Sequence, residues 1–254
     1  MNAIGTLAWS RRTGGTLSPA DRLRFAGQAL LARLVRLSRT ASRTFGLLAA
    51  PPAAGTGGAP ALPDTADARR ARDHAALLTP GWLHDHSLRA YLWASLLAHR
   101  RGIAHDPELL FVAAALHGLG LATPPRSCDP AGCFALRGAA AAGRFADSLG
   151  WPAPRRHRLQ EAITLHLNLR VGLEAGAEAH LLHAGVALDC TGAGLEEISP
   201  ALVAAVLARF PRPAFKARMA AALADQATVH YASRAAFLHH RGYGRLIHAA
   251  PFAD

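Results

Sequence analysis

The sequence predicts an all-α protein, and three observations carry that prediction. Hydrophobic residues make up 51% of the 254 residues, but alanine dominates them, and aromatic residues reach only 6%. β-Branched residues are also sparse, and this composition favours helices over strands. Glycine and proline interrupt the apolar segments where helices are expected to end. Since no useful stretch alternates apolar and polar residues and no internal repeat is found, we expect neither a sheet nor a solenoid.

The first 60 residues are predicted to form a basic helix followed by a linker. Ser18 is a good capping residue, Pro19 stands at the first helical position and Asp21 supplies an acid in the first turn. The helix is expected to continue to about residue 48, because leucines and alanines recur on one face. Residues 49–62 are rich in proline, glycine and alanine and predict a linker. The predicted domain division is therefore 1–60 and 61–254.

Residues 61–254 are predicted to form successive helices of one compact domain. Asp106-Pro107 and Ser199-Pro200 are clean N-terminal caps, and glycines such as Gly102 and Gly150 stand where helices should stop. The segment 123–132 predicts a loop. The expected helices cover residues 65–78, 83–101, 106–118, 134–149, 153–168, 177–190, 199–209, 213–231 and 232–241. We expect them to form a helical bundle.

The chain is strongly basic, and the charge is concentrated near its start. The formal net charge is +11, and the first 50 residues hold eight arginines against one acid. An anionic partner, such as nucleic acid or a membrane surface, is one interpretation. The other is a solvated helix face on which arginine stems cover apolar surface. We favour the second, and expect no nucleic-acid partner, because no aromatic stacking pattern or nucleic-acid motif accompanies the charge.

Cysteine usage and hydropathy predict a cytoplasmic protein. The chain has three cysteines, too few and odd in number for a disulfide framework, which favours a reducing compartment. No stretch of eighteen uncharged apolar residues exists, so we expect no membrane span. No apolar segment follows Arg11 and Arg12, which argues against a cleaved secretory signal; an organelle presequence is a minor alternative.

Three histidines and one aspartate lie near the ends of predicted helices. His86 begins the apolar helix in HDHSLRAYLWASLLA, and His117 ends the one in DPELLFVAAALHGLGL. His166 follows in AITLHLNLRVG and Asp189 in LLHAGVALDCTG. A single histidine on an apolar helix is more often an ordinary core residue. Four such residues at successive helix ends favour a metal centre, because imidazoles and carboxylates that converge from several helices commonly hold a divalent ion.

Six segments resemble the HD-domain superfamily of metal-dependent hydrolases, most closely its cyanamide-hydratase-like branch. They are HSLRAYLWASLLA, DPELLFVAAALHGLG, CFALRGAAAAGRFADSLGW, EAITLHLNL, EAHLLHAGVALDCTG and PRPAFKARM, in family order across nearly all of 61–254. The resemblance implies a metal set of a first His, a His-Asp doublet and a late Asp. These positions are His86, His117 with Gly118, and Asp189. Glycine supplies no oxygen, so Gly118 puts a family-type dinuclear centre in doubt.

The resemblance therefore implies a mononuclear centre in which His86, His117 and Asp189 hold zinc, iron or manganese with one position open for water. His166 is expected to be a further ligand, a substrate contact or a proton shuttle with a pKa near the operating pH. Arg89 is predicted either to orient an anionic group or to pair with an acid. Lys216 matches a Phe-Lys pair of the family, and a solvated cation is its alternative.

The functional hypothesis is a metal-dependent hydrolase or hydratase that acts on a small-molecule phosphate ester or nitrile-like substrate. The alternative is a degenerate, non-catalytic HD-like module that binds a ligand or a partner. The retained histidines favour the enzyme, whereas Gly118 favours the module. A homo-oligomer is also an open hypothesis.

Overall fold

The computed structural model describes residues 3–30, 60–122 and 132–254, and this part of the chain is helical without a strand. An isolated antiparallel bridge joins Thr16 to Ser233. The prediction of an all-α protein is confirmed. No described helix is both long enough and apolar enough to cross a membrane.

The helices follow one another with short connections. The N-terminal ones are α1 (Leu7–Thr13) and α2, which is described over residues 19–30. The others are α3 (Ala66–Leu78), α4 (Gly81–Arg101), α5 (Pro107–Leu116), α6 (Leu119–Ala122), α7 (Phe134–Ser148), α8 (Ala153–Leu165), α9 (Ala177–Thr191), α10 (Pro200–Arg209), α11 (Phe215–Val229), α12 (Arg234–His240) and α13 (Tyr243–His248).

The predicted helices of residues 61–254 are all present, and their ends differ from the predicted ones by three residues or fewer. The sequence did not predict α1, α6 and α13, because four to seven residues are too few to show a helical repeat. The helix expected to reach about residue 48 is seen to residue 30. Its remainder, the linker at 49–59 and the loop at 123–131 lie outside the described residues.

The core is built around α4 and α5, which are both deeply buried. Every residue of α5 from Leu109 to Leu116 is inaccessible to solvent, and Asp106 caps this helix by accepting from the Leu109 N–H. The α9 backbone packs closely against α4 at Gly185. A Cβ there would lie 2.1 Å from the Ala90 carbonyl oxygen, so only glycine allows this approach.

The described N-terminal residues pack on the helical body. The side chains of Leu7, Trp9 and Phe25 are buried, and the Leu17 N–H donates to the Ala232 carbonyl. The Leu7 N–H donates to Glu161 on α8. These contacts hold residues 3–25 on the helical body, while the domain division at residue 60 stays a prediction.

Candidate functional site

Three imidazoles meet at the ends of three helices. His86 lies in the second turn of α4, whereas His117 and His166 directly follow α5 and α8. All three are buried, with exposed fractions of 1%, 3% and 5%. The ring centre of His117 lies 5.2 Å from that of His86 and 5.1 Å from that of His166. The fold therefore brings the three predicted histidines into contact around His117.

His117 and His166 are oriented in the same way. Each ring presents its Nδ1 to the carbonyl three residues earlier, at 2.6 Å from Ala114 O and 2.5 Å from Ile163 O. A carbonyl oxygen only accepts, so in both residues Nδ1 carries the proton and donates. In a neutral imidazole the second nitrogen, Nε2, then holds a lone pair. The ends of α5 and α8 thus select the tautomer that presents Nε2.

His86 is oriented by Asp189 on α9. Its Nδ1 lies 2.7 Å from Asp189 Oδ2. Burial opposes ionisation of this carboxyl, but the Arg89 guanidinium and the hydrogen bond from His86 hold the pKa of Asp189 far below its ordinary value. An ionised carboxylate only accepts, so His86 Nδ1–H donates and Nε2 again holds a lone pair. Phe215 stacks on the same imidazole, with ring centres 5.1 Å apart.

Asp189 is fully occupied by hydrogen-bond donors. Its Oδ1 accepts from Arg89 Nε at 2.9 Å, Trp93 Nε1 at 2.8 Å and Arg212 Nη1 at 2.9 Å. Its Oδ2 accepts from His86 and from Arg89 Nη2, the latter at 3.0 Å. A carboxylate has about four lone-pair sites, and five donors leave none for an ion. In this arrangement the carboxylate orients His86, and the ligand role that the resemblance implied for Asp189 stays a prediction.

The Nε2 atoms of His86 and His117 lie 3.3 Å apart. Burial lowers the pKa of His86, and burial together with the neighbouring imidazoles lowers the pKa of His117 well below its ordinary value. The lowered pKa values favour the neutral form of both rings, in which the two Nε2 lone pairs face each other. A cation between the two nitrogens relieves that repulsion. Two nitrogen ligands of a tetrahedral zinc ion, each at about 2.0–2.1 Å, are about 3.3 Å apart, so this pair fits such an ion.

The third imidazole lies beside this pair. As the side chains stand, no three His, Cys, Asp or Glu residues in the described ranges are grouped so as to hold an ion. Two tetrahedral imidazole ligands have ring centres about 5 Å apart, and the 5.1 Å between His117 and His166 agrees with that spacing.

The three histidines line one large cavity. It has a volume of about 1300 Å³, and the described N-terminal residues Ala3, Ile4 and Thr6 also line it. His183 on α9 is a further lining residue, half-buried, whose Nδ1 lies 3.1 Å from the His166 carbonyl oxygen. The sequence hinted at His183 only through its place on the same helix as Asp189.

Leu83 packs against the glycine at position 118. Gly118 is not one of the glycines with a positive φ, and α5 has already ended at Leu116, so no left-handed helix end requires it. A Cβ at Gly118 would lie 3.2–3.4 Å from the Cγ and Cδ atoms of Leu83. Leucine thus occupies the space beside His117 into which a larger residue at 118 would project.

The other predicted site residues lie outside the cavity. Arg89 is fully buried and donates to Asp189 and to the carbonyls of Phe210 and Pro211. Of its two predicted roles, the structure shows the pairing with an acid. Lys216 does not line the cavity, and its Nζ donates to the Phe252 carbonyl. Neither position supports direct contact with a substrate.

His166 differs from the expected proton shuttle. Burial lowers its pKa to about 3, far from the operating pH that a shuttle needs. With this lowered pKa, His166 is neutral at cellular pH values. The neutral imidazole is the form that binds a metal.

Three residues of the site were not predicted in their roles. They are Trp93, Arg212 and Phe215, of which Arg212 and Phe215 belong to the PRPAFKARM segment. The sequence signal that could have indicated a role for Arg212 is its position between two prolines.

No protein-family model matches the chain, and no curated protein matches it. The resemblance to the HD superfamily is therefore a proposal.

The buried histidines predict that the protein loses stability in mild acid. The pKa values of His86, His117, His166 and His183 are lowered chiefly by burial. The ordinary pKa of a histidine is 6.5. Below that pH the histidines of the unfolded chain gain protons that those of the folded chain do not, so the free energy of unfolding falls as the pH drops. At pH 5.5 the loss is about 1.4 kcal/mol for each histidine that stays neutral.

Urea denaturation of chelator-treated protein between pH 8 and pH 5 measures this loss. The stability should be nearly constant above pH 7.5 and decline steadily below pH 6.5. A His166→Gln variant should show a shallower decline. Equal stability at pH 7 and pH 5 would contradict the buried, neutral state of these imidazoles.

Proposed function

We propose that the protein is a metal-dependent hydrolase or hydratase of the HD superfamily that acts on a small molecule in the cavity. His86 and His117 would hold the ion, with His166 as the third imidazole. One observation carries the proposal: two buried Nε2 atoms lie 3.3 Å apart while both Nδ1 atoms are engaged elsewhere. A proton or a metal ion between them would relieve the repulsion of the two lone pairs, and the lowered pKa values favour the metal.

The chain's own groups prepare the site for that chemistry. When bound, a divalent cation supplies Lewis acidity and lowers the pKa of a bound water from about 15.7 towards about 7. Asp189 and the carbonyls of Ala114 and Ile163 fix the ring orientation and the tautomer of the imidazoles, as the outer partners of metal-bound histidines commonly do. Three neutral imidazoles leave the positive charge of the cation uncompensated, which favours strong polarisation of a substrate.

A non-catalytic ligand-binding module is the second candidate. It is favoured by the absence of any group of three ligands around one point in the described residues, and by the full hydrogen bonding of Asp189. The cavity would serve such a module equally well. The two candidates differ in whether the protein takes up metal and whether turnover depends on it.

Metal uptake and metal-dependent turnover test the proposal. Chelator-treated full-length protein is titrated with zinc, iron(II) or manganese, and the hydrolysis of p-nitrophenyl acetate and p-nitrophenyl phosphate is followed before and after loading. We expect about one equivalent of a tightly bound ion, and hydrolysis that chelation abolishes and reloading restores.

His86→Ala should lose both properties, whereas His99→Ala is the matched control, because His99 is an exposed residue of the same helix. Wild-type protein that takes up no ion from an excess of each metal would contradict the enzyme and support the module. Metal uptake without turnover on any substrate would leave a metal-binding module.

A further inference from the structure

The cavity wall is predominantly apolar away from the imidazoles. Leucine, methionine and phenylalanine side chains from several helices line it, and most of them are buried. They include Leu83, Leu121, Phe134, Leu165, Met219 and Leu223. A wall of this kind binds ligands by removing their apolar surface from water.

The charged residues of the wall do not suit an anion. Among the described lining residues, Arg170 is a cation and Glu174 and Glu196 are acids. Arg170 is exposed, whereas a phosphate buried beside the imidazoles would need cations that reach it there. The two carboxylates of the wall, the exposed Glu174 and the half-buried Glu196, supply no counter-charge for an anion.

The buried arginines of the protein are committed elsewhere. None of Arg89, Arg137, Arg212 and Arg234 lines the cavity. Arg89 and Arg212 bind Asp189, and Arg234 donates to the Thr164 carbonyl and to Asn168 Oδ1. Arg137 donates to the carbonyls of Gly120 and Gly132. Within residues 3–30, 60–122 and 132–254, no buried guanidinium therefore lines the cavity.

The size of the cavity indicates an extended ligand. Its volume of about 1300 Å³ exceeds the usual range of about 300–1000 Å³ for small-molecule pockets. A two- or three-atom substrate would leave most of this apolar wall in contact with water. An alkyl chain or a set of fused rings would cover it.

We propose that the cavity binds an uncharged, mainly apolar molecule, with a carbonyl- or nitrile-type group at the imidazoles and an apolar tail along Leu165, Met219 and Leu223. This proposal rests on the proposed function for the reaction of the polar group. The binding of the apolar tail depends only on the wall. Of the two substrate classes that the sequence left open, the structure therefore favours the neutral one over the phosphate ester.

Displacement of Nile red, an uncharged dye, by two matched ligand series tests the proposal on the full-length chain. One series is the primary amides from butanamide to decanamide, and the other is the monoalkyl phosphates of the same chain lengths. We expect the dye to bind, amide affinity to rise about fourfold per methylene, and each phosphate to bind at least about tenfold more weakly than the amide of equal length.

Two variants test whether the apolar wall of the cavity causes the rise of affinity with chain length. Leu223→Gln should reduce the amide affinities and the increment per methylene, while Leu77→Gln, at a residue that is 85% exposed on α3, should change neither. Phosphates that bind as tightly as amides, affinities that do not depend on chain length, or failure of the dye to bind would each overturn the proposal.

The measurements are made on metal-free protein and repeated on His86→Ala. A normal amide series with no metal uptake would contradict the proposed enzyme and keep the apolar cavity. Metal uptake with phosphate preference would contradict the neutral ligand and keep the enzyme.

Discussion

Replacing Asp189 with asparagine should lower the free energy of unfolding by about 3–5 kcal/mol. The carboxylate is the counter-charge of two guanidinium groups, and the Arg89 and Arg212 side chains that it pairs with are only 0% and 1% exposed. Asparagine keeps the shape of the side chain but removes the charge and replaces one acceptor by a donor. Two buried cations would then face each other without an anion between them. Urea denaturation at pH 7.5 measures the change.

A surface carboxylate provides the control for this loss. Asp73 pairs with Arg72, but its side chain is 70% exposed, so Asp73→Asn should change stability by about 1 kcal/mol or less. Asp189→Asn should also weaken zinc binding by about 10–100-fold, because His86 would lose the group that fixes its tautomer. An Asp189→Asn protein as stable as the wild type would show that the two arginines do not depend on this charge.

Replacing His117 with alanine should abolish the stabilisation that zinc gives to the folded protein. His117 contacts both other imidazoles, so its removal breaks the 3.3 Å pair and isolates His86 from His166. At a free zinc concentration 1,000 times the dissociation constant, an ion that binds only the folded state adds about 4 kcal/mol to the free energy of unfolding. The variant should gain less than about 1 kcal/mol at the same concentration.

Denaturation with and without zinc gives this difference directly, and His99→Ala should behave as the wild type. The free energies of unfolding of the metal-free wild type and His117→Ala show how much the substitution itself destabilises the fold. The loss of zinc stabilisation is measured separately from that effect. Zinc that stabilises the His117→Ala protein as strongly as the wild type would place the ion elsewhere on the chain.

The helices could be predicted from sequence because their ends carry local signals. Asp106-Pro107 and Ser199-Pro200 cap the helices they precede, and Gly102 and Gly192 end helices in the left-handed conformation. These signals act over four or five residues, so a single sequence contains them in full. The single turn of α6 and the short α1 and α13 escaped prediction because their stability comes from packing rather than from a repeated pattern.

The positions of the site residues could be predicted, but the role of Asp189 could not. His86, His117 and His166 end or begin apolar helices, and such ends meet at one side of a bundle. The donors to Asp189 come from Trp93 on α4 and from Arg212 before α11, which are far apart in the sequence. Only the folded chain shows that these donors saturate the carboxylate.

The same limit applies to the cavity. The apolar residues that line it have the spacing of ordinary core residues, and nothing in the pattern separates a wall from a core. Met219 and Leu223 line the cavity, whereas Leu92 and Leu97 are fully enclosed. Only the packing of the helices creates this difference.

X-ray absorption spectroscopy at the zinc edge of the zinc-loaded protein tests the metal centre most directly. A centre built on the three imidazoles predicts one equivalent of zinc, a first shell of nitrogen or oxygen at about 2.0–2.1 Å, and the outer-shell scattering of three histidines. The His86→Ala and His117→Ala proteins should lose that signal. A shell that contains sulfur, or one with fewer than two imidazoles, would contradict a metal held between His86 and His117.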